Sequence, residues 1–164
     1  MLHYDVPNDK IVRATGICLH LEKMMRRSPY VDYQRERYLK LMALGTFLTD
    51  LFRHERPFKI ASEHPFINIK RPGAVIPLAE CLLVIENAVF DYNPYLSLEK
   101  IDPSSIKNAV GVKGNSGEKH AMTEGIAKIP EVMDVLVNDL GIMDNNAVDS
   151  LAVTYCSFIR EYRS

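Results

Sequence analysis

The segment from Asp144 to Tyr162 constrains the fold most, because its apolar side chains recur at the spacing of one helix face. Asp144 precedes the first turn and carries a side chain that caps the free N–H groups at the start of a helix. The sequence therefore predicts a closing helix laid on a hydrophobic core. The apolar positions of this pattern are Val148, Leu151, Ala152, Tyr155, Ile159 and Tyr162.

Asp149 lies at the edge of this apolar stripe, where a carboxylate is partly desolvated and needs a partner, a shifted pKa or a metal. Asn145 and Asn146 stand four and three residues before it, so the three side chains share one face. Such an oxygen-rich cluster suits Mg²⁺, which takes one or two carboxylates and keeps several waters. The alternative is a capping Asp144 together with a solvated Asp149.

Length and composition indicate a globular protein. At 164 residues, with 47% apolar and 25% charged residues, we expect a single domain over residues 1–164. The three cysteines, Cys18, Cys81 and Cys156, have no paired spacing and are typical of reduced core residues of an intracellular, cytoplasmic protein. No apolar run reaches membrane-spanning length and no secretory signal is recognisable, so no membrane partner is expected.

The net charge of −1 hides an uneven distribution of charge. Residues 10–40 hold eight Lys and Arg against three acids, and residues 131–149 hold five acids and no base. This pattern fits a phosphate-binding surface beside an acidic, metal-binding pocket. It also fits an ordinary protein with uneven surface charge.

The pattern along the chain predicts strands alternating with helices, which is an α/β layout. The predicted helices include a long one over 30–53, with Tyr38 on its buried side, and the predicted strands include Phe58–Ser62. The other predicted strands lie within 11–21 and 96–101, and the other predicted helices span 74–91, a short stretch from Pro103, a segment ending near Ile129, and 131–140, which ends at Gly141.

Three features of the chain converge on one chemistry. Glu63 follows a strand directly, at the carboxyl end where open α/β sheets place ligands. A loop over 111–117 carries glycine and lysine, and the closing helix begins in an acidic cluster. Two-metal cleavage of a phosphodiester needs carboxylates from separate elements to hold two cations roughly 4 Å apart, one of them activating the attacking water.

At these residues the chain resembles the RuvC family of Holliday-junction resolvases, within the RNase H-like nucleases. The resemblance runs from Phe58 to Cys156, and four segments carry it in the family's order. The segments are Ile60–Phe66, a strand ending in Glu with an aromatic three residues later; Ile101–Val110, a Pro-Ser turn leading to a Lys; Gly111–Met122, a Gly-rich loop with Lys; and Asn146–Val153, the closing motif before a Leu-Ala run.

The resemblance implies an RNase H-like fold, a central mixed sheet flanked by helices, here without its first strand. It implies that Glu63, Asp149, Asp144 and Asn146 hold Mg²⁺ or Mn²⁺, two ions per site. It further implies that Phe66 stacks on an unpaired base of the junction, and that basic side chains approach DNA phosphates. These basic residues are Lys70, Arg71, Lys107, Lys113 and Lys119.

The chain departs from the family pattern in two places. Asn146 stands where the family has its first closing acid, and Asp144 substitutes for it only if the turn folds back. No segment matches the family's first strand with its essential Asp, since Met1–Tyr4 makes a poor core strand around Asp5. We therefore expect residues 1–22 to be the second and third strands, with the Asp-bearing strand upstream of Met1 or missing.

Three functions remain open on this sequence. The first is a metal-dependent endonuclease that resolves four-way or branched DNA junctions in recombination and repair, acting as a homodimer because symmetric cleavage needs two active sites. The second is a branched-DNA-binding protein that has lost cleavage together with its first catalytic Asp. The third is a related nuclease acting on other DNA or RNA.

Overall fold

The computed structural model describes residues 1–15, 33–64, 73, 75–112 and 120–163. Within these ranges the chain is a mixed α/β protein, rich in helices and with small sheets, so the predicted class is confirmed. The described strands form two two-stranded sheets, and the single central sheet stays a prediction. No described helix combines the length and the apolar character needed to cross a membrane.

The chain begins with an antiparallel hairpin of β1 (Leu2–Asp5) and β2 (Lys10–Ala14), joined by a 3₁₀ turn over Val6–Asn8. Leu2–Asp5 thus forms a strand, although the sequence indicated that Met1–Tyr4 would make a poor one. A tertiary contact stabilises this strand. The rings of Tyr4 and Phe158 pack together with their centroids 4.9 Å apart. The prediction of two strands in residues 1–22 is confirmed for residues 2–14.

The chain divides into two compact units, each with its own core. The first unit consists of residues 1–18, 61–64 and 100–164, and the second of residues 19–60 and 65–99. The division passes through strands β3 (Ile60–Glu63) and β4 (Leu98–Ile101), which are neighbours in the second sheet. The predicted single domain over residues 1–164 stays a prediction.

The first unit is built around the closing helix. It contains α3 (Pro103–Ala109), α4 (Ala121–Ala127), α5 (Pro130–Met133), a 3₁₀ turn over Leu140–Ile142, and α6 (Asn145–Tyr162). The core of this unit is formed by residues of the hairpin, of the end of β4 and of α3 to α6. The side chains of these residues are almost completely buried. The most deeply buried members are Ala14, Ile101, Ile126, Val132, Val148, Leu151 and Ala152.

The second unit pairs two long helices, α1 (Tyr33–Glu55) and α2 (Val75–Tyr92). Its smaller core consists of Phe52, Ile60, Ala88 and Val89. Tyr92 closes this core, since its hydroxyl donates to the carbonyl oxygen of Pro57 at 3.1 Å.

Three predictions from the sequence are corrected by these elements. Tyr38, expected on the buried side of the long helix, is 60% exposed, and Phe58, expected in a buried strand, is also 60% exposed because β3 begins only at Ile60. The helix expected over 131–140 is wrong, because the chain leaves α5 at Met133 and Leu136 pairs with Ala14 of the hairpin in a parallel bridge. In this stretch, pairing with a distant strand outweighs the local preference for a helix.

Candidate active site

Glu63 is the last residue of β3 and is held at the end of the sheet by backbone pairing. The N–H of the next residue, His64, donates to the carbonyl oxygen of Ile101 at 2.7 Å, so the ends of β3 and β4 stay together. Ile101 is fully buried and anchors this edge in the core of the first unit. The Glu63 side chain therefore projects from a fixed strand end, as the sequence predicted.

Asp149 is placed by the start of α6. The Asp144 carboxylate accepts a hydrogen bond from the N–H of Ala147 at 2.8 Å, which caps the first turn. Val148 is buried in the core at 1% exposure, and Asp149 follows it on the outer side. Asp149 therefore lies at the rim of the apolar face, on a helix whose orientation the core determines.

Lys107 reaches the same place from the last turn of α3. The neighbouring Ile106 is buried, and the Cys156 thiol donates to the carbonyl oxygen of Ser105, with Sγ and O 3.6 Å apart. These contacts hold α3 against α6, so Lys107 is half-buried beside the helix that carries Asp149.

Electrostatic interactions show that the three side chains share one site. Burial raises the pKa of Glu63, the Asp149 carboxylate raises it further, and the Lys107 ammonium lowers it. Burial likewise raises the pKa of Asp149, against the opposing effect of Lys107. The structure thus brings together two carboxylates from distant parts of the chain, each deprived of part of its hydration.

This pair has the chemistry of a hard-cation site. Two neighbouring carboxylates repel each other, and partial burial also disfavours their charged forms. A divalent cation bound to both would offset the repulsion and the loss of hydration. Mg²⁺ is commonly held by one or two carboxylates together with waters, which fits this donor set. Among the described residues there is no group of three or more His, Cys, Asp or Glu side chains placed to hold a metal.

The remaining predicted site residues fall into two sets. Asp144 acts as the cap of α6, and Asn146 is exposed in the first turn of that helix, three residues before Asp149. Five residues predicted to contact DNA lie outside the described residues: Phe66, Lys70, Arg71, Lys113 and Lys119. Asp5, the last residue of β1, accepts a hydrogen bond from the Asn8 side-chain amide at 2.7 Å within the hairpin turn.

Sequence reasoning missed one role. The DNA contact expected of Lys107 stays a prediction, and in the structure its ammonium offsets the charge of both carboxylates. The signal available in the sequence was its place one residue after the apolar Ile106 in a short helix, which puts it at the rim of a buried face.

The described elements define a mixed α/β fold, and this fold is similar to that of two solved structures. Both are structures of RuvC from T. thermophilus, one of them in complex with a Holliday junction substrate. The junction complex has a TM-score of 0.59 and 14% sequence identity to this chain, and the other structure has 0.61 and 15%. Each match covers 84% of this chain and 75% of the RuvC chain.

At these identities the likeness concerns the fold alone. No protein-family model matches the sequence, and no curated protein matches it. The chain is therefore similar in fold to RuvC.

Proposed function

We propose that this protein is a divalent-metal-dependent endonuclease that resolves four-way (Holliday) or branched DNA junctions. The observation that carries the proposal is the meeting of Glu63 and Asp149 in one electrostatically coupled site beside Lys107. Two things support the choice of substrate. One is the similarity in fold to a RuvC structure that contains a Holliday junction, and the other is the resemblance of the motifs.

In this proposal Glu63 and Asp149 hold Mg²⁺ or Mn²⁺, with Asp144 and Asn146 as further oxygen donors at the start of α6. Bound ions of this kind lower the pKa of an attacking water and stabilise the leaving oxygen. Two carboxylates suffice for one Mg²⁺, so a second ion needs a further acid such as Asp144. In that role Asp144 would bind the ion through Oδ2, because Oδ1 accepts the hydrogen bond that caps α6.

Lys107 has two roles in the proposed complex. Its ammonium offsets the two carboxylates in the free protein. We propose that it also contacts the phosphate at the acidic site. We propose that Phe66 stacks on an unpaired base and that Lys70, Arg71, Lys113 and Lys119 contact the DNA backbone. Selectivity would then follow from the shape of the junction and from phosphate contacts.

The second candidate is a branched-DNA-binding protein that does not cleave. It is favoured by one observation, namely that the described residues bring together a pair of acids and no larger group of metal-ligating side chains. The loss of one acid from a metal site costs catalysis before it costs binding to DNA, since phosphate contacts carry most of the affinity.

The test is nicking of a synthetic four-way junction in the presence of Mg²⁺, with linear duplex of the same sequence as a second substrate. We expect the wild-type protein to nick the junction. Glu63→Gln should lower the rate by at least about 100-fold, because a ligand that supplies several kcal/mol of transition-state stabilisation is lost. Junction binding by Glu63→Gln, measured by gel shift in EDTA, should stay within a factor of about three.

The matched control is Glu124→Gln, which removes an exposed carboxylate of α4 in the same unit. We expect this variant to nick the junction at the wild-type rate. Binding of the junction by wild-type protein without nicking would support the second candidate. Equal cleavage of duplex DNA or RNA would support a nuclease with another substrate.

A further inference from the structure

Lys107 combines a fixed backbone with a long, flexible side chain. Its carbonyl oxygen accepts a hydrogen bond from the N–H of Val112 at 2.9 Å, and the neighbouring Ile106 is buried in the core of the first unit. The ammonium group ends a flexible hydrocarbon stem with several rotatable bonds. It can therefore change partners by rotation of its own side chain, while α3 stays in place.

Glu63 and Asp149 are two acids on which the charge of Lys107 acts. Both start from fixed positions, one at the end of β3 and the other on α6, where the neighbouring Val148 is buried. Burial raises the pKa of each carboxyl group, and the ammonium group opposes the rise in both. Lys107 thus stabilises the charged forms of the two carboxylates. A divalent cation bound to them would do the same at the same place.

The formal charges of this cluster explain why the two cations compete. Glu63, Asp149 and Lys107 together carry one negative charge when all three are ionised. A divalent cation on the carboxylates would turn this into one positive charge, and the ammonium group would repel the ion. A phosphodiester group carries one negative charge, so it would neutralise the cluster and attract Lys107 away from the carboxylates.

We propose that Lys107 couples metal binding to DNA binding: its ammonium group balances Glu63 and Asp149 in the metal-free protein, and moves to a phosphate when a divalent cation takes its place. The coupling is reciprocal, because DNA that tightens the binding of the ion must itself bind more tightly to the ion-loaded protein. The inference rests on the proposed function for the identity of both ligands.

Two simpler roles of Lys107 lead to different results. If the ammonium group only held the two acids in position, its removal would loosen the carboxylates and weaken metal binding. If it stayed beside the carboxylates throughout, its removal would strengthen metal binding equally with and without DNA. The exchange of partners instead predicts stronger metal binding to the free protein together with a smaller effect of the metal on DNA binding.

The first test measures the affinity of the full chain for Mn²⁺ without DNA, from the electron paramagnetic resonance signal of the free ion. Lys107→Gln should bind Mn²⁺ at least about five-fold more tightly than wild type, because a competing positive charge is removed. Lys107→Arg keeps this charge and should bind Mn²⁺ within a factor of about two of wild type. Lys128→Gln, which alters an exposed base just after α4, is the matched control and should leave the affinity unchanged.

The second test measures the coupling itself, as the affinity for a four-way junction in EDTA and in Ca²⁺ at constant ionic strength. Fluorescence anisotropy gives both dissociation constants, and a denaturing gel verifies that the DNA stays intact. The ratio of the two constants should be at least about three-fold larger for wild type than for Lys107→Gln. Each ratio compares a protein with itself, so the general loss of one positive charge largely cancels.

The outcomes separate this inference from the proposed function. Equal or weaker Mn²⁺ binding by Lys107→Gln, or equal ratios of junction affinity in the two proteins, would overturn the coupling. Nicking of junctions by the wild-type protein together with either result would leave the nuclease standing. The expected changes in both tests without nicking would support the coupling and count against the nuclease. A wild-type protein and a Lys107→Gln protein that both fail to bind Mn²⁺ would overturn both.

Discussion

Glu63 and Asp149 occupy positions in the folded chain that are unfavourable for a charged carboxylate. Both carboxylates have raised pKa values, with burial as the main cause, so their charged forms are disfavoured in the folded chain. A carboxyl group whose pKa is higher in the folded than in the unfolded state binds protons preferentially on folding. Proton binding by such a group therefore stabilises the folded chain at low pH. This stabilisation is lost as the pH rises from the ordinary carboxyl pKa through the raised value.

Asp149→Asn tests the coupling between the two acids. Removing the Asp149 charge should lower the pKa of Glu63 towards its ordinary value, because that charge raises it in the wild-type protein. The measurement is the ¹³C shift of the Glu63 carboxyl against pH. The variant should also be more stable than wild type at pH 7, by about 0.5 kcal/mol after allowance for solvent screening, and the difference should shrink towards pH 4.

The control for this experiment is Asp134→Asn, which alters an exposed acid in the same unit. It should leave the Glu63 titration unchanged. A Glu63 pKa that is the same in wild type and in Asp149→Asn would contradict the shared site.

The sequence predicted which elements carry Glu63 and Asp149, but not the electrostatic interaction between the two carboxylates. Strand and helix patterns placed Glu63 at a strand end and Asp149 beside a buried face, both of which are local properties. That the two meet depends on the pairing of β3 with β4 and on the packing of α3 against α6. Those contacts join residues far apart in the chain, so periodicity alone could not show them.

At the scale of elements, the sequence pattern predicted α6 correctly but predicted a longer helix than α5. The apolar spacing and the Asp144 cap predicted α6, and both are present. The pattern over 131–140 favoured a helix as well, yet only Pro130–Met133 is helical. The difference is caused by the hairpin, which packs beside this stretch. The N–H of Val137 donates to the carbonyl oxygen of Ala14 at 2.9 Å, so the stretch is extended and pairs with the hairpin.

Close approach of backbones also shapes the elements of the first unit. A Cβ at Gly125 of α4 would lie 2.7 Å from the carbonyl oxygen of Val110 and 2.9 Å from a methyl group of Val112. Glycine at this position lets α4 pack directly on the turn that follows α3. The sequence showed a glycine inside a helical pattern, but it could not show which backbone the helix would meet.

Two substitutions of Asp144 separate its role as a cap from a role in metal binding. Asp144→Ala should lower the free energy of unfolding by about 1 kcal/mol, since the N–H of Ala147 loses its acceptor. Asp144→Ser keeps a capping oxygen and removes the carboxylate, so its stability should be close to wild type. Urea unfolding measures the first effect, and junction nicking by the Ser variant measures the second.

If Asp144 is a ligand, Asp144→Ser should be as stable as wild type and slow in nicking. If it is a cap only, Asp144→Ser should nick at the wild-type rate. A loss of stability in Asp144→Ser as large as that in Asp144→Ala would contradict the assignment of the cap.

At the scale of the whole molecule, the described residues form two hydrophobic cores, and the single domain predicted from composition stays a prediction. The larger core gathers around α6 and the smaller around Phe52, Ile60, Ala88 and Val89. Length and composition bound the amount of apolar surface to be buried. They do not say how that surface is shared, which depends on the long-range contacts of each helix.

The two cores should respond separately to core substitutions. Leu151→Ala in α6 and Phe52→Ala in α1 each remove a large buried side chain, and each should cost about 3 kcal/mol locally. Hydrogen exchange followed by mass spectrometry should show faster exchange mainly in residues 100–163 for Leu151→Ala and mainly in 36–60 and 75–99 for Phe52→Ala. Equal acceleration throughout both variants would show that the two units unfold as one.

The separation of Glu63 and Asp149 along the chain has a thermodynamic consequence. One lies at the end of β3 and the other in α6, so the two carboxylates are neighbours only after the first unit has folded. In the denatured ensemble they belong to distant, independently solvated segments. If a divalent ion binds both carboxylates as proposed, it would bind the native chain and not the denatured one, and would raise the midpoint of thermal denaturation by mass action.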